Sequence, residues 1–496
     1  MTAALPPPRR NLLALVEKTA WALFLVCLPV TSFPFFPPAI GGGALVRPLS
    51  IYPLAVLLLI AVLPRLLRGG LPRTCLAVLP FVLAALGSSL LSLLRGIDPA
   101  LGITVEARLL RALITLGLGL AFYLAASLLP RSPQDLRFSL RALYAGLVLA
   151  LGWGSLQAVS VFRYQPQLFQ LLSRVQRLIS TRRLFEDRVS GLTYEPNWFA
   201  EQITFLYMPW LLGAVLSGKS VFPRPQRWRW LSVELVLLVW SIGVLVFTFS
   251  RAGLINLAAL AFACVVFFRP QWGRSRARRS EAPRPALRLW GLRLLQAVLV
   301  IAVLVGGALL AGRRNAFFSR LWSYWRDFER PTLSGYFEYL GFGARFIYGT
   351  GAFNTYVEDP LFGVGPGNFG FYFAERMPDR ELAAMPEVLR IVTPEAGRNR
   401  LVTAKVFYFR LLAETGLVGT AAFLVFPIAI LGCALFLYLA SDPDQRAWGT
   451  AGLLGVFAFV LSAFSFDSFA LPNMWVVFGL ITAAAWVYLP QGRGEH

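Results

Sequence analysis

RWLSVELVLLVWSIGVLVFTFSRAGLINLAALAFACVVFF, residues 229–268, decides the fold. Two apolar runs meet at a hairpin of a few residues, and each is long enough to cross a hydrocarbon core about 30 Å thick. So short a turn gives Arg251 no route into bulk water, so Ser250 and Arg251 must sit at the membrane interface. The same pattern fills the chain. Of 496 residues 57% are hydrophobic and only 15% are charged, with a mean hydropathy of +0.63. An ordinary soluble domain carries about 25% charged residues. An all-α polytopic membrane protein is expected.

At about 20 apolar residues per span, about twelve transmembrane helices are predicted. They fall roughly at 12–33, 46–64, 74–94, 107–129, 136–159, 197–217, 229–249, 251–268, 289–312, 416–440, 446–465 and 470–489. Arg9 and Arg10 precede the first run, but no small-residue cleavage site ends it, so a retained helix is expected there.

The formal charge is +22, carried by 44 Arg and only Lys18, Lys219 and Lys405 as lysines. Such an excess often marks a nucleic-acid binder. Here the arginines concentrate in alternate linkers: Arg65, Arg68 and Arg73; Arg131 and Arg137; Arg224, Arg227 and Arg229; Arg274, Arg276, Arg278 and Arg279. By the positive-inside rule these linkers are cytoplasmic, both termini lie inside, and nucleic acid is not an expected partner. The same count puts Arg188, Arg251 and Arg345 on the opposite, external face. The single His is His496, which excludes a histidine-based metal site or catalytic triad. Cys27, Cys75, Cys264 and Cys433 stand apart in apolar segments and read as small core residues. Neither a metal nor a cofactor is expected.

Two external segments are long. In 160–196, QLFQLLSRVQRLISTRRLF sets Leu, Val and Ile at helical spacing opposite Arg174, Arg177, Arg182 and Arg183. That pattern fits either an amphipathic helix on the bilayer surface or a loop helix with a solvated face. Residues 313–415 form a second, larger loop, with helices expected near 315–328 and 344–359. The organisation is thus 1–312 (nine spans, with the amphipathic segment), 313–415 (loop domain between spans nine and ten) and 416–496 (three spans and a tail). A transporter of two matched halves would place its long linker inside, after span six.

Four stretches carry chemistry. DRVSGLTYEPNWFAEQ (187–202) gathers Arg188, Glu195, Asn197 and Glu201 where span six begins, with Pro196 suited to a first helical turn. Glu195 either caps that helix and pairs with a nearby Arg, or acts as a general base beside an apolar surface. FTFSRAG (247–253) presents Ser250 and Arg251, a snorkelling anchor or an anion ligand. ARFIYGTGAFNTYVEDPLFGVGPGNFGFYF (344–373) starts from Arg345 and ends in a Gly-rich turn around Asn368. That turn lacks the Lys-Ser/Thr and preceding strand of a P-loop and reads by itself as structural. TAKVFYFRLLAETGLVG (403–419) brings Lys405, Tyr408 and Arg410 to the outer surface ahead of Glu414. Guanidinium groups are suited to gripping phosphate through paired hydrogen bonds.

Together these stretches resemble the O-antigen ligase and polymerase superfamily of membrane glycosyltransferases, over roughly residues 185–425. The likeness rests on Arg188, Gly191, Pro196, Asn197 and Ala200; on Ser250-Arg251; and on Arg345, eighteen residues ahead of Gly363 in a Pro-Leu-x-Gly-Val-Gly-x-Gly-Asn-Phe turn. The family's His-Asn pair is replaced here by Lys405-Val406, and Glu195-Pro196 is similar to many polymerases. The resemblance implies metal-independent, inverting transfer of a glycan from an undecaprenyl-pyrophosphate donor to a glycan acceptor at the periplasmic face of a bacterial inner membrane. Arg188, Arg251 and Arg345 would hold the pyrophosphate, with Glu195 or Lys405 as base and Asn197, Ser250, Asn368, Tyr408 and Arg410 around the substrate. Polymerisation of repeat units is the first reading, with a chain-length regulator and a flippase as partners besides membrane lipids. Ligation to lipid A–core or protein, and flipping of lipid-linked sugars, are the alternatives.

Overall fold

The computed structural model describes residues 9–36, 45–223, 232–268, 295–378, 388 and 401–489, less scattered positions between 297 and 342. Among the described residues there is no β-strand, only helices, turns and two isolated bridges. In chain order the helices are α1 (Arg9–Val26), α2 (Ile51–Leu67), α3 (Arg73–Leu94), α4 (Val105–Leu128), α5 (Pro133–Phe162), α6 (Pro166–Ile179), α7 (Pro196–Ser217), α8 (Val233–Phe247), α9 (Arg251–Phe267), α10 (Ala316–Asp327), α11 (Leu333–Tyr339), α12 (Gly343–Glu358), α13 (Phe369–Arg376), α14 (Phe407–Leu439), α15 (Pro443–Ser462) and α16 (Pro472–Tyr488). Five of them, α3, α4, α5, α7 and α14, are long and apolar enough to cross a membrane, and α2, α8, α9 and α16 are shorter apolar helices. The chain is an all-α protein of membrane-embedded character.

Eleven of the expected spans overlap α1–α5, α7–α9 and α14–α16. The remaining one, 289–312, lies largely outside the described residues, and the positions described between 295 and 310 are helical. The basic linkers 224–231 and 269–294 lie outside them altogether. α14 runs from Phe407, and the expected span start at 416 falls on the kink where its two helical parts meet, at the non-helical Gly416.

Burial sorts the helices. Every residue of α16 from Pro472 to Ala485 is buried, and α7 is buried over most of its length. α16 packs on α4 and on the π turn of α7, α15 packs along α7, and α14 packs on α15, so α15 and α16 hold α7 within the bundle.

Prolines shape α2 and α7. Each contains a π-helical segment, Leu58–Val62 and Gln202–Tyr207, ending two residues before Pro64 and Pro209. Proline lacks an N–H, and its ring crowds the carbonyl four residues back, so a widened turn relieves a clash the α geometry cannot accommodate. The π turn of α7 begins immediately after Glu201.

The Gly-rich turn serves α14. Gly416 has φ 63° and ψ −165°, a region essentially reserved for glycine, and the turn mends the resulting break. Val364 and Gly365 donate their N–H groups to the carbonyls of Ala413 (3.0 Å) and Glu414 (2.9 Å). Leu417 and Val418 donate in return to Pro360 (2.8 Å) and Leu361 (3.1 Å). These amides are therefore committed to the helix, which supports the structural reading of the turn. Gly416→Ala forces a forbidden backbone and sets a Cβ 2.4 Å from the Leu361 carbonyl. It should cost about 1–3 kcal/mol from strain alone, seen as a lowered Tm of the detergent-purified protein.

Candidate functional site

The site is built at the head of α7. Arg188 is buried (9% exposed), donating from Nε to the Thr248 carbonyl at 3.0 Å and from Nη2 to Asn197 Oδ1 at 2.9 Å. Asn197 thus orients the guanidinium from the first turn of α7. The loop before α7 is pinned by Gln157 of α5, whose Oε1 accepts from Ser190 and Gly191 at 3.0 and 2.9 Å while its Nε2 donates to the Gly191 carbonyl at 3.0 Å. Gly191 takes φ +56°, and a Cβ there would meet the Phe199 ring at 2.7 Å. Only glycine lets the chain turn so close to the helix it enters.

Burial pushes the Arg188 pKa down to about 10; Asp187 and Glu195 oppose the shift, and the nearby cations Arg251 and Arg182 add to it. An arriving anion would reverse that shift. The guanidinium is held in a buried, polar setting with charges of both signs around it.

Arg251 opens α9. Ser250 is buried and caps the helix, accepting from the Gly253 N–H at 3.2 Å, so its hydroxyl is engaged in shaping the hairpin. Phe249 before it sits at φ 47°, a strained conformation for a non-glycine residue. The hairpin does two jobs: Thr248 offers its carbonyl to Arg188, and Arg251 follows three residues later. Arg251 Nη1 donates to the Leu340 carbonyl at 2.5 Å, which ties α9 to the segment leading into α12. Arg345, in the first turn of α12, is half-buried, and among the described residues no hydrogen bond or ion pair engages it. Arg345 and Asp467 both lie within electrostatic reach of Glu201. Arg188 and Arg251 are thus within electrostatic reach of each other near the head of α7, and Arg345 is within reach of Glu201 on the same helix.

Lys405 adds a fourth cation at the start of α14. Its backbone is at φ 61° and is held there by Asp467, whose Oδ2 accepts the Lys405 N–H at 3.0 Å. Its Nζ lies 5.7 Å from the centroid of the Tyr348 ring. Phe249 and Lys405 are two of the three described non-glycine residues with positive φ, and both flank this site. Asp467, in the connection between α15 and α16, escaped sequence reading because one Asp among FSFDSFA carries no motif.

Other candidates are committed elsewhere. Arg410 is buried, with Nε on Glu414 Oε2 at 3.0 Å and Nη1 on the Asp467 carbonyl. Tyr408 donates its hydroxyl to the Val460 carbonyl at 2.8 Å. Asn368 is fully buried, with Nδ2 on Ser92 Oγ at 2.6 Å and on the Val364 carbonyl at 3.1 Å. These three hold the framework. Glu195 pairs with Arg182, whose guanidinium also faces the rings of Phe185 and Tyr194 at 4.7 and 5.0 Å. Glu195 stands at the N-cap of α7 without a side-chain cap bond. Glu234, a buried acidic side chain in an apolar helix, accepts from Ser220 Oγ and the Val221 N–H at the start of α8.

The amphipathic segment forms α6. Leu172 and Gln176 face inward, and Gln176 accepts from Trp153 of α5 at 2.9 Å. Leu171 and Leu178 are 57% and 60% exposed, with Arg174 and Arg177 beside them at the surface. The helix is docked on the bundle and still presents leucines outward. Among the described residues no group of His, Cys, Asp or Glu side chains is placed to hold a metal ion.

No family model matches the chain, and no curated relative matches it.

Gln157→Ala tests how the loop is held. It removes three bonds to buried backbone, should cost about 1–3 kcal/mol, and should open residues 182–187 to proteolysis before the bundle itself is cut.

Proposed function

We propose that this chain is a membrane glycosyltransferase that polymerises undecaprenyl-pyrophosphate-linked oligosaccharide repeat units at the periplasmic face of a bacterial inner membrane. The reading includes about twelve spans, with residues 313–415 as the external loop between spans nine and ten. One observation supports it: Arg188 is buried at the head of α7 with Arg251 within electrostatic reach, and Arg345 is within reach of Glu201 on that helix. A lipid tail and a diphosphate head are the two halves of a molecule that fits such a place.

In this reading the carrier lipid lies along the outer leaflet, and the guanidinium groups bind its pyrophosphate. As the sugar–phosphate bond breaks, negative charge builds on the leaving oxygen. Fixed cations in a water-poor site stabilise that charge without reorganising. Attack from the opposite side inverts the anomeric carbon. The acceptor side has rings to offer: Tyr324, Trp325, Tyr336 and Tyr339 pack centroid to centroid at 5.2–5.7 Å in α10 and α11, and Trp325 is 45% exposed. Flat apolar faces of this kind suit the C–H face of a pyranose. Their segment is joined to the cationic site by the Arg251–Leu340 bond.

Purified protein in nanodiscs, given lipid-linked repeat units, should yield a ladder of chain lengths. A single addition to a separate acceptor would instead make it a ligase, and movement of intact donor without transfer would make it a flippase. Arg251→Ala should abolish transfer while the protein still inserts and purifies. Full activity in that variant would remove the pyrophosphate assignment.

A further inference from the structure

Glu195 pairs through Oε1 with Arg182 at the N-cap of α7. A second carboxylate lies one turn deeper. Asn197 and Glu201 are four residues apart on α7 and so share one helix face. Asn197 holds Arg188, and Glu201 lies directly below it at the boundary of the π turn. Glu201 is 5% exposed, and its Oε1 accepts from Asn473 Nδ2 at 3.0 Å. Among the described residues no hydrogen bond engages Oε2.

The surroundings point towards a hydroxyl-bearing ligand. Accepting a hydrogen bond from the Asn473 amide nitrogen fixes that amide's orientation and leaves its Oδ1 buried without a donor. An acceptor left bare in this way costs about 1–3 kcal/mol, a cost that an incoming O–H group would relieve. Arg345 and Asp467 stand within electrostatic reach, so the carboxylate borders the cationic site and is not isolated in the bundle. Its direct partner is a neutral amide.

We infer that Glu201, seated on Asn473, is the general base that takes the proton from the acceptor-sugar hydroxyl. This inference rests on the glycosyltransferase reading. The hydroxyl hydrogen passes to Glu201 Oε2 as the acceptor oxygen bonds to the anomeric carbon. The bond from that carbon to the phosphate oxygen breaks, and its electron pair leaves on the pyrophosphate held by Arg188, Arg251 and Arg345. The donor phosphate and the attacking hydroxyl are thus handled by residues one helical turn apart, and Asn473 positions the base.

The test uses full-length protein in nanodiscs, with lipid-linked repeat units as substrate and undecaprenyl pyrophosphate as binding probe. Glu201→Gln keeps the shape and the Asn473 bond but cannot accept the proton. Its kcat should fall by roughly 10²–10⁴-fold, with KM and undecaprenyl-pyrophosphate affinity within about twofold of wild type, a split that a packing role would not produce. Glu201→Asp, which keeps a carboxylate, should recover part of the rate. Turnover of Glu201→Gln within about tenfold of wild type would overturn the assignment. Should that variant not fold, Glu201→Met gives the same comparison. If wild type neither transfers nor binds the probe, the glycosyltransferase reading itself fails, and the base falls with it.

Discussion

A guanidinium withdrawn from water needs its shape and charge answered locally, and the burial of Arg188 sets the conditions that the surrounding structure meets. Shape is answered by neutral oxygens, the Thr248 carbonyl and Asn197 Oδ1. Reaching both requires a tight entry into α7, which explains Gly191 and the three bonds from Gln157. It also requires the hairpin at 248–250, with Phe249 in a strained conformation. Charge is answered by Asp187 and Glu195, against the smaller opposing influence of Arg251 and Arg182. Backbone strain at Phe249 and a buried guanidinium in one place are the features from which the anion-binding proposal starts.

The framework holds that arrangement rigid. α7 is enclosed by α15 and by α16, so the floor beneath Arg188 cannot yield easily. The π turn of α7 accommodates Pro209, and the Gly-rich turn repairs α14 where Gly416 breaks it. The broken α14 in turn lets Lys405, Arg410 and Asp467 converge. Arg410 serves from inside, holding the Asp467 carbonyl while Asp467 Oδ2 holds the Lys405 amide. The N-terminal ends of α7, α9 and α14 are thus braced by buried polar bonds.

Much of this was legible in residue order. Apolar runs near 20 residues located the helices because backbone groups in hydrocarbon have no partners but each other. Arg188, Asn197 and Arg251 were found because charge at the end of such a run is costly and conspicuous. What could not be read was the partner of each side chain. Ser250, Asn368, Tyr408 and Arg410 have the chemistry of ligand contacts, but carbonyls more than fifty residues away claim Tyr408 and Arg410, and the distant Ser92 hydroxyl with the Val364 carbonyl claims Asn368. Ser250 is the local exception, an N-cap for the helix it precedes. Asp467 and Asn473 were missed for the converse reason: each is an unremarked residue near a helix boundary, brought to α7 only by the packing of α15 and α16. Glu201 was seen beside Asn197, but its depth and its amide partner depend on that packing.

The central claim is that the arginines recognise a diphosphate on a lipid. Equilibrium titration of the protein in nanodiscs with undecaprenyl pyrophosphate, undecaprenyl monophosphate and undecaprenol tests it directly. The account predicts affinity falling steeply in that order, with the preference for pyrophosphate weakened by added salt and erased in Arg188→Ala. Equal binding of all three lipids, or a preference for the diphosphate that survives loss of Arg188, would contradict it.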